Sequence, residues 1–193
     1  MINKIKLSLV LLVIATSQSN ALIEVDITRG NLDPLPIAVS PLSAEKETED
    51  NLTKELKEEN IGQKISEVVE NNLKNSGLFN PLNRDAFLQK PDIAHLKPRF
   101  EDWSLIKAQA LITGKVTLVN EKLRVEFRLW DVLAGKEMMA LAFTTVPSNW
   151  RRVGHIITDK VYERLTGEKG YFDTRIIYVA EEGPKTKRIK KLA

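Results

Sequence analysis

The stretch Leu123-Arg124-Val125-Glu126-Phe127-Arg128-Leu129-Trp130 decides the fold, because apolar and charged residues alternate through most of it. Successive side chains of a strand point to opposite faces, so Leu123, Val125, Phe127 and Leu129 line one buried face, with Arg124, Glu126 and Arg128 behind them. Just upstream, Ala110, Ile112, Val116 and Leu118 share one face of another strand over 109–119, and Asn120-Glu121 is the short turn that makes the pair a hairpin. Downstream, a turn over 131–136 containing Gly135 leads into a third strand over 137–145. Met138, Met139, Leu141 and Phe143 make this third strand apolar on both faces, the pattern of a strand in the middle of a covered sheet.

A sheet with an apolar face needs helices to cover it. Pro147-Ser148-Asn149 carries a capping residue, and Trp150, Val153, Ile157, Val161 and Leu165 then form a continuous helical stripe that stops at Gly167. Upstream, Ile61, Ile65, Val68, Val69 and Leu73 recur at helical spacing and predict a helix over 61–76, with Gly77 as its stop. Leu78 and Phe79 fold back onto the end of that helix. Ile37-Ala38-Val39 is a short strand core that Pro41 closes. Residues 44–59 are dominated by Glu and Lys, with only Leu52 and Leu56 available for an apolar face, and read as a solvated loop with a weak helix. The segment 80–106 carries Pro81, Pro91 and Pro98 and reads least clearly, with short helices at 84–89 and 101–107. The order of elements predicts an α/β (α+β) fold: one mixed β-sheet covered by two principal helices.

Both ends differ from this body. Residues 1–21 have the layout of a secretory signal peptide: Lys4 and Lys6, an apolar run over 7–15, and the small-residue site Ser19-Asn20-Ala21, with cleavage expected after Ala21. Ile23-Glu24-Val25-Asp26-Ile27-Thr28 then alternates strictly, as a strand with one apolar face. An edge strand of the domain sheet and a detachable arm fit that pattern equally well. At the other end, 171–180 and 188–193 read as two strands around the turn signals Gly183-Pro184, with no sheet of their own to join. The expected division is a signal peptide over 1–21, an arm over 22–33, the α/β domain over 34–168, and the opening of a further β-domain over 169–193.

Composition excludes several classes of function. With no cysteine, the chain has neither a thiol nucleophile nor a disulfide framework. The formal charge of +3 comes from the ends, since residues 22–183 carry 22 basic against 26 acidic side chains. A nucleic-acid binder carries its basic stripe on the folded part; here the excess sits at Lys4, Lys6 and a tail with Lys185, Lys187, Arg188, Lys190 and Lys191. The nine glycines are dispersed and form no phosphate-cradling loop. His95, near Asp92, Glu101 and Asp102, lacks the spacing of a metal site, and His155 reads as a surface or edge residue of the last helix. Trp130 and Trp150 read as packing residues. No catalytic, cofactor-binding or metal-binding residue is assigned. The alternative of a small-molecule or peptidoglycan-acting enzyme or binding domain rests on a pocket around His95. The segment that carries a functional argument is the arm, whose free backbone groups and apolar Ile23, Val25 and Ile27 suit addition of a strand to another protein's sheet.

In order along the chain, several runs resemble the TolB proteins of the Gram-negative cell envelope. They are Pro36-Ile37-Ala38-Val39, Asn75-Ser76-Gly77-Leu78-Phe79, Phe127-Arg128-Leu129-Trp130-Asp131, Trp150-Arg151-Arg152-Val153-Gly154-His155, and above all Leu165-Thr166-Gly167-Glu168-Lys169-Gly170-Tyr171-Phe172-Asp173-Thr174-Arg175-Ile176. The last run is similar to the family's junction between an amino-terminal α/β domain and a carboxy-terminal β-propeller, which implies that 169–193 open the first blade of a truncated propeller. The resemblance implies a periplasmic, non-catalytic adaptor of the Tol-Pal system, serving envelope integrity, outer-membrane constriction in cell division and protein (bacteriocin) import, with no cofactor. It implies that Leu22, Ile23, Glu24, Val25, Asp26, Ile27 and Thr28 bind TolA. The propeller face that binds Pal in the family falls after residue 193, so Pal binding is not expected of this chain by itself. On export, the mature product is expected to begin at Leu22; mass spectrometry of a periplasmic extract checks this, and an intact Met1 in the membrane fraction contradicts it.

Overall fold

The structure is a computed structural model and describes residues 23, 33–174, 179–184 and 188–192. Its centre is a mixed sheet. Leu35–Val39 (β1) runs parallel to Phe79–Pro81 (β3) on one side and to Ala110–Val119 (β4) on the other. The two-residue Ser43–Ala44 (β2) continues the parallel pairing along the same strand. Lys122–Asp131 (β5) and Lys136–Thr145 (β6) then follow antiparallel, so the order is β3-β1-β4-β5-β6 with β2 beside β4. β1 is short yet central, and Ile37, Ala38 and Val39 are at most 2% exposed, which explains a continuous apolar run where the hairpin strands alternate. The β4–β5 turn is closed by Asn120 and Glu121, both at positive φ, the geometry that matches the twist of two antiparallel strands.

Two long helices cover one face. Ile61–Asn75 (α2) and Trp150–Thr166 (α5) bury the stripes expected of them, Ile61, Ile65, Val68, Val69 and Leu73 against Trp150, Val153, Ile157, Val161 and Leu165. They approach closely at Gly154, where an added Cβ would lie 2.8 Å from Val68 Cγ1. The opposite face is covered over β1 and β4 by a second, smaller core. There the 3₁₀ turn Arg84–Ala86, Pro91–Ala94 (α3) and Phe100–Leu105 (α4) bring Ala94 and Trp103 against Ala38, Leu111 and Val132. Gln89 organises this segment from inside: its Nε2 donates to Lys97 O, and its Oε1 accepts from Arg99 N and Trp103 Nε1.

Several expectations need correction. Among the described residues β6 is an edge strand rather than a central one. A register shift opposite Leu129 and Trp130 makes Met138 the extra residue of a bulge, so Met139, Leu141 and Phe143 face the helices while Glu137, Ala140, Ala142 and Thr144 face outward. The run looked apolar on both faces because the bulged methionine and the small alanines fill the positions that alternation reserves for polar residues. The charged segment 44–59 contains an 11-residue helix, Lys46–Leu56 (α1), and Leu52 is completely buried in the main core. A single apolar anchor seats a helix whose hydrophobic face is otherwise too thin to read. Leu78 and Phe79 pack into the main core with Leu73 as expected, and Phe79 also begins a strand, β3. At the end, Tyr171–Thr174 form no strand and Tyr171–Asp173 instead lie on α5, so of the segment 171–180 only Val179 and Ala180 are in a strand among the described residues. Val179–Glu182 (β7) pairs antiparallel with Ile189–Leu192 (β8) in a separate two-stranded sheet. Basic residues of the tail are offset across it: Lys190 by Glu181 at 3.1 Å, Lys191 by Glu182 at 3.1 Å, and Arg188 by Glu181.

Because Leu52 is buried, Leu52→Ala is expected to destabilise the domain by about 2–5 kcal/mol, where a solvated loop would lose almost nothing. The urea denaturation midpoint measures the difference.

Candidate partner-binding site

Of the expected TolA-binding residues 22–28, only Ile23 is described; Leu22, Glu24, Val25, Asp26, Ile27 and Thr28, like the cleavage residue Ala21, lie outside the described residues. Ile23 packs half-buried against the main core, and its backbone N–H donates a long 3.4 Å hydrogen bond to Asp131 Oδ2. Asp131 ends β5 and is 1% exposed. Its other oxygen, Oδ1, accepts from Ala134 N at 2.8 Å and so holds the β5–β6 turn. One buried carboxylate thus serves a turn and receives the backbone of Ile23. Sequence reasoning assigned Asp131 only to a turn, since an aspartate at a strand end is an ordinary turn signal and nothing local shows that its second oxygen meets a residue 108 positions away.

His95 offers little for catalysis. Its Nδ1 lies 3.1 Å from Asp92 O and 3.5 Å from Ser43 Oγ, and Ser43 Oγ is also 3.3 Å from Gly114 O, to which it can donate. A hydroxyl turned to a backbone carbonyl and an imidazole that meets no carboxylate among the described residues do not make an activated nucleophile. A depression of about 140 Å³ beside His95 is lined by Leu96, Gly114, Lys115, Glu126 and Arg128. His155 bridges the two long helices, with Nδ1 2.9 Å from Asn72 Nδ2, which places it in a helix contact. Among the described residues, no group of three or more His, Asp or Glu side chains is placed to hold a metal ion. All three tryptophans are packing residues: Trp150 is buried, Trp130 donates from Nε1 to Thr113 Oγ1 at 2.9 Å, and Trp103 is the centre of the smaller core.

The sheet face behind β5 is open beyond the short helices. Arg124 Nε donates to Glu126 Oε1 at 3.0 Å, Lys115 Nζ lies 3.9 Å from Glu126 Oε2, and Arg128 pairs with Glu137 at 3.3 Å. The hydrogen bond from Arg124, helped by the charges of Lys115 and Arg128, holds Glu126 below the ordinary carboxylate range against the opposing effect of partial burial. This is a mixed-charge, solvated surface without a dominant sign.

Sequence comparison bears directly on these placements. The family model for the TolB amino-terminal domain matches residues 23–138, from the arm to the first residues of β6. The chain belongs to the TolB amino-terminal domain family. It is 78% identical over 184 residues to the Tol-Pal system protein TolB of Pelagibacter ubique (strain HTCC1062), a match covering 95% of this chain and 41% of that relative. The crystal structure of TolB from Acinetobacter baumannii superposes with a TM-score of 0.64 at 20% identity, over 89% of this chain and 39% of that one, and supports the TolB fold. The chain therefore spans about two fifths of the length of the TolB proteins it matches. Among the described residues, no helix is long and apolar enough to cross a membrane.

Glu126 contributes stability that is present above the ordinary glutamate range and lost as pH falls through its lowered folded-state value. Removing its main partner with Arg124→Ala is expected to move the Glu126 titration upward, which side-chain carboxyl NMR measures directly.

Proposed function

We propose that this chain is the amino-terminal part of a periplasmic, non-catalytic adaptor of the Tol-Pal system, in which residues 22–28 bind TolA by adding a strand to its sheet. The observation that carries the reading is the TolB amino-terminal domain match over 23–138, which begins inside the arm. The name of the 78% identical relative, a Tol-Pal system protein, supports the assignment to that system. The arm chemistry fits the mode of binding: Ile23, Val25 and Ile27 alternate with Glu24, Asp26 and Thr28, so one edge of polar backbone groups comes with one apolar side-chain face.

The wider roles follow from the same family reading: envelope integrity, constriction of the outer membrane in division, and bacteriocin import. In this reading residues 1–21 direct export, 22–33 are the TolA-binding arm, 34–168 are the domain that presents it, and 169–193 lead into a propeller whose Pal-binding face lies after residue 193. No step of catalysis is assigned. The enzyme alternative rests on the depression beside His95, where the neighbouring Ser43 hydroxyl is turned to Gly114 O.

The decisive variant is Val25→Pro. Proline has no N–H to donate to a strand ladder, and the residue lies before β1, the first described strand, so the fold is checked alongside affinity. Affinity for TolA, measured by calorimetry, is expected to fall at least tenfold while circular dichroism and the denaturation midpoint stay at wild-type values. Unchanged affinity in a folded protein overturns strand addition by the arm.

A further inference from the structure

Helix α5 ends at Gly167, whose φ of 76° is the left-handed conformation that closes helices, and three residues later the chain reaches Gly170. Two glycines in a short exposed connection read as a hinge. The contacts made by the residues that follow say otherwise.

Asp159, on the flank of α5, accepts two consecutive backbone N–H groups with its two oxygens: Phe172 N to Oδ1 at 2.7 Å and Asp173 N to Oδ2 at 3.1 Å. Bonds from N–H to an ionised carboxylate are the stronger kind, and here a pair fixes two successive peptide planes. Gly170 belongs to the same contact for a steric reason, since a Cβ there would lie 2.4 Å from both Asp159 Cα and Oδ1. At Gly167, by contrast, a Cβ meets nothing within 4 Å, and the requirement is conformational. Toward the end of the helix, Tyr162 is packed edge-on by Tyr171 at 5.5 Å and by Phe172 at 5.7 Å, and on its other side by Phe79 at 6.2 Å. Toward the start of the helix, Arg152 binds both carboxylate oxygens of Asp173, Nε at 3.0 and 3.2 Å and Nη2 at 3.0 Å. Arg152, Asp159 and Tyr162 stand seven and three residues apart on one helical face. They grip the chain in reverse order, so Tyr171–Asp173 run back along α5.

We propose that Asp159 is the residue that sets the direction in which the chain leaves this domain, making 167–173 a rigid elbow clamped to α5 in place of a glycine hinge. The proposal is independent of TolA binding. It assigns Asp159 and Gly170 a positioning role for whatever follows residue 174: up to that point the chain is carried as part of α5, and a change of direction at 167–170 requires both bonds to Asp159 to break. The exposed Arg152–Asp173 pair adds geometry more than strength, because solvent screens it.

Amide hydrogen exchange on the full chain tests the clamp. In wild type, the amides of Phe172 and Asp173 are expected to be protected; exchange at free-chain rates there overturns the proposal at once. Asp159→Ala is expected to speed exchange of those two amides at least tenfold while β4 and β5 keep their protection, and wild-type rates in the variant overturn it. Should Asp159→Ala also lose protection in the sheet, Gly170→Ala decides, since it lifts the elbow from the other side; wild-type rates at Phe172 and Asp173 in that variant overturn the proposal. Direction is read separately. The chain has no cysteine, so spin labels at Lys74→Cys and Thr174→Cys report the end of the elbow against α2, and both residues are exposed. A narrow distance distribution that broadens with Asp159→Ala is the expected result, and a broad one in the otherwise wild-type chain, or one that Asp159→Ala leaves unchanged, overturns the proposal.

Discussion

Every layer of this domain hangs on β4. It is a 10-residue strand with Ala110, Leu111, Ile112 and Val116 at most 1% exposed, so neither edge can leave its backbone groups to water. The antiparallel partner β5 satisfies one edge from Ala110 to Val119. The other edge needs two separate pieces, β1 opposite Ala110, Leu111 and Ile112, then β2 opposite Lys115 and Val116. Between those pieces the chain steps around Gly114, which has no room for a side chain because a Cβ would lie 2.2 Å from Glu126 O and 2.8 Å from Leu42 Cδ2. The Leu42 loop is in turn fixed by Ser66 of α2, whose Oγ accepts from Leu42 N at 3.0 Å and lies 3.1 Å from Ser40 O. The placement of α2, and through Gly154 that of α5, therefore follows from completing the edge of one strand.

The two faces of the sheet are covered unequally, and this divides the surface. On one side α2 and α5 form a continuous layer; on the other the short helices reach β1 and β4 and leave the charged residues of β5 in solvent. Among the described residues β6 is the last strand of the sheet, and it carries Lys136 and Glu137 beside a bulge, features that discourage indiscriminate strand pairing. The two chain segments that flank the domain attach to the covered side. Ile23 meets Asp131 at the end of β5, and Tyr171–Asp173 lie along α5. A domain that anchors both of its connections with carboxylates, Asp131 and Asp159, holds the points of entry and exit while leaving its open sheet face uncommitted.

The strands from 109 to 145 and both long helices were legible because each one's burial is periodic and dense: every second residue in β5, every third or fourth in α2 and α5. Local signals also marked their ends, the Asn120-Glu121 turn and the glycines at 77 and 167. α1 was not legible as a docked helix because its seat is one residue, Leu52, in a charged context. β3 was not, because three residues hold no period and its strand character comes from pairing with β1. The edge position of β6 was hidden by Met138, whose bulge shifts the alternation by one residue and is visible only against its partner strand.

For the candidate site, the alternation of the arm and the runs shared with TolB proteins were present in the sequence, and they carried the family and the proposed mode of binding. What the sequence by itself determined about this protein is thus whatever depends on neighbours along the chain: element type, the faces of the long elements, the turns and the family. Tertiary structure alone decided which strand is an edge, what Leu52 is for, and what Asp131 and Asp159 hold. The physical reason is that a carboxylate looks the same in sequence whether it faces water or a backbone N–H. The identity of its partner is a matter of three-dimensional packing, and neither the 108 residues separating Ile23 from Asp131 nor the reversal of the chain along α5 leaves a local trace.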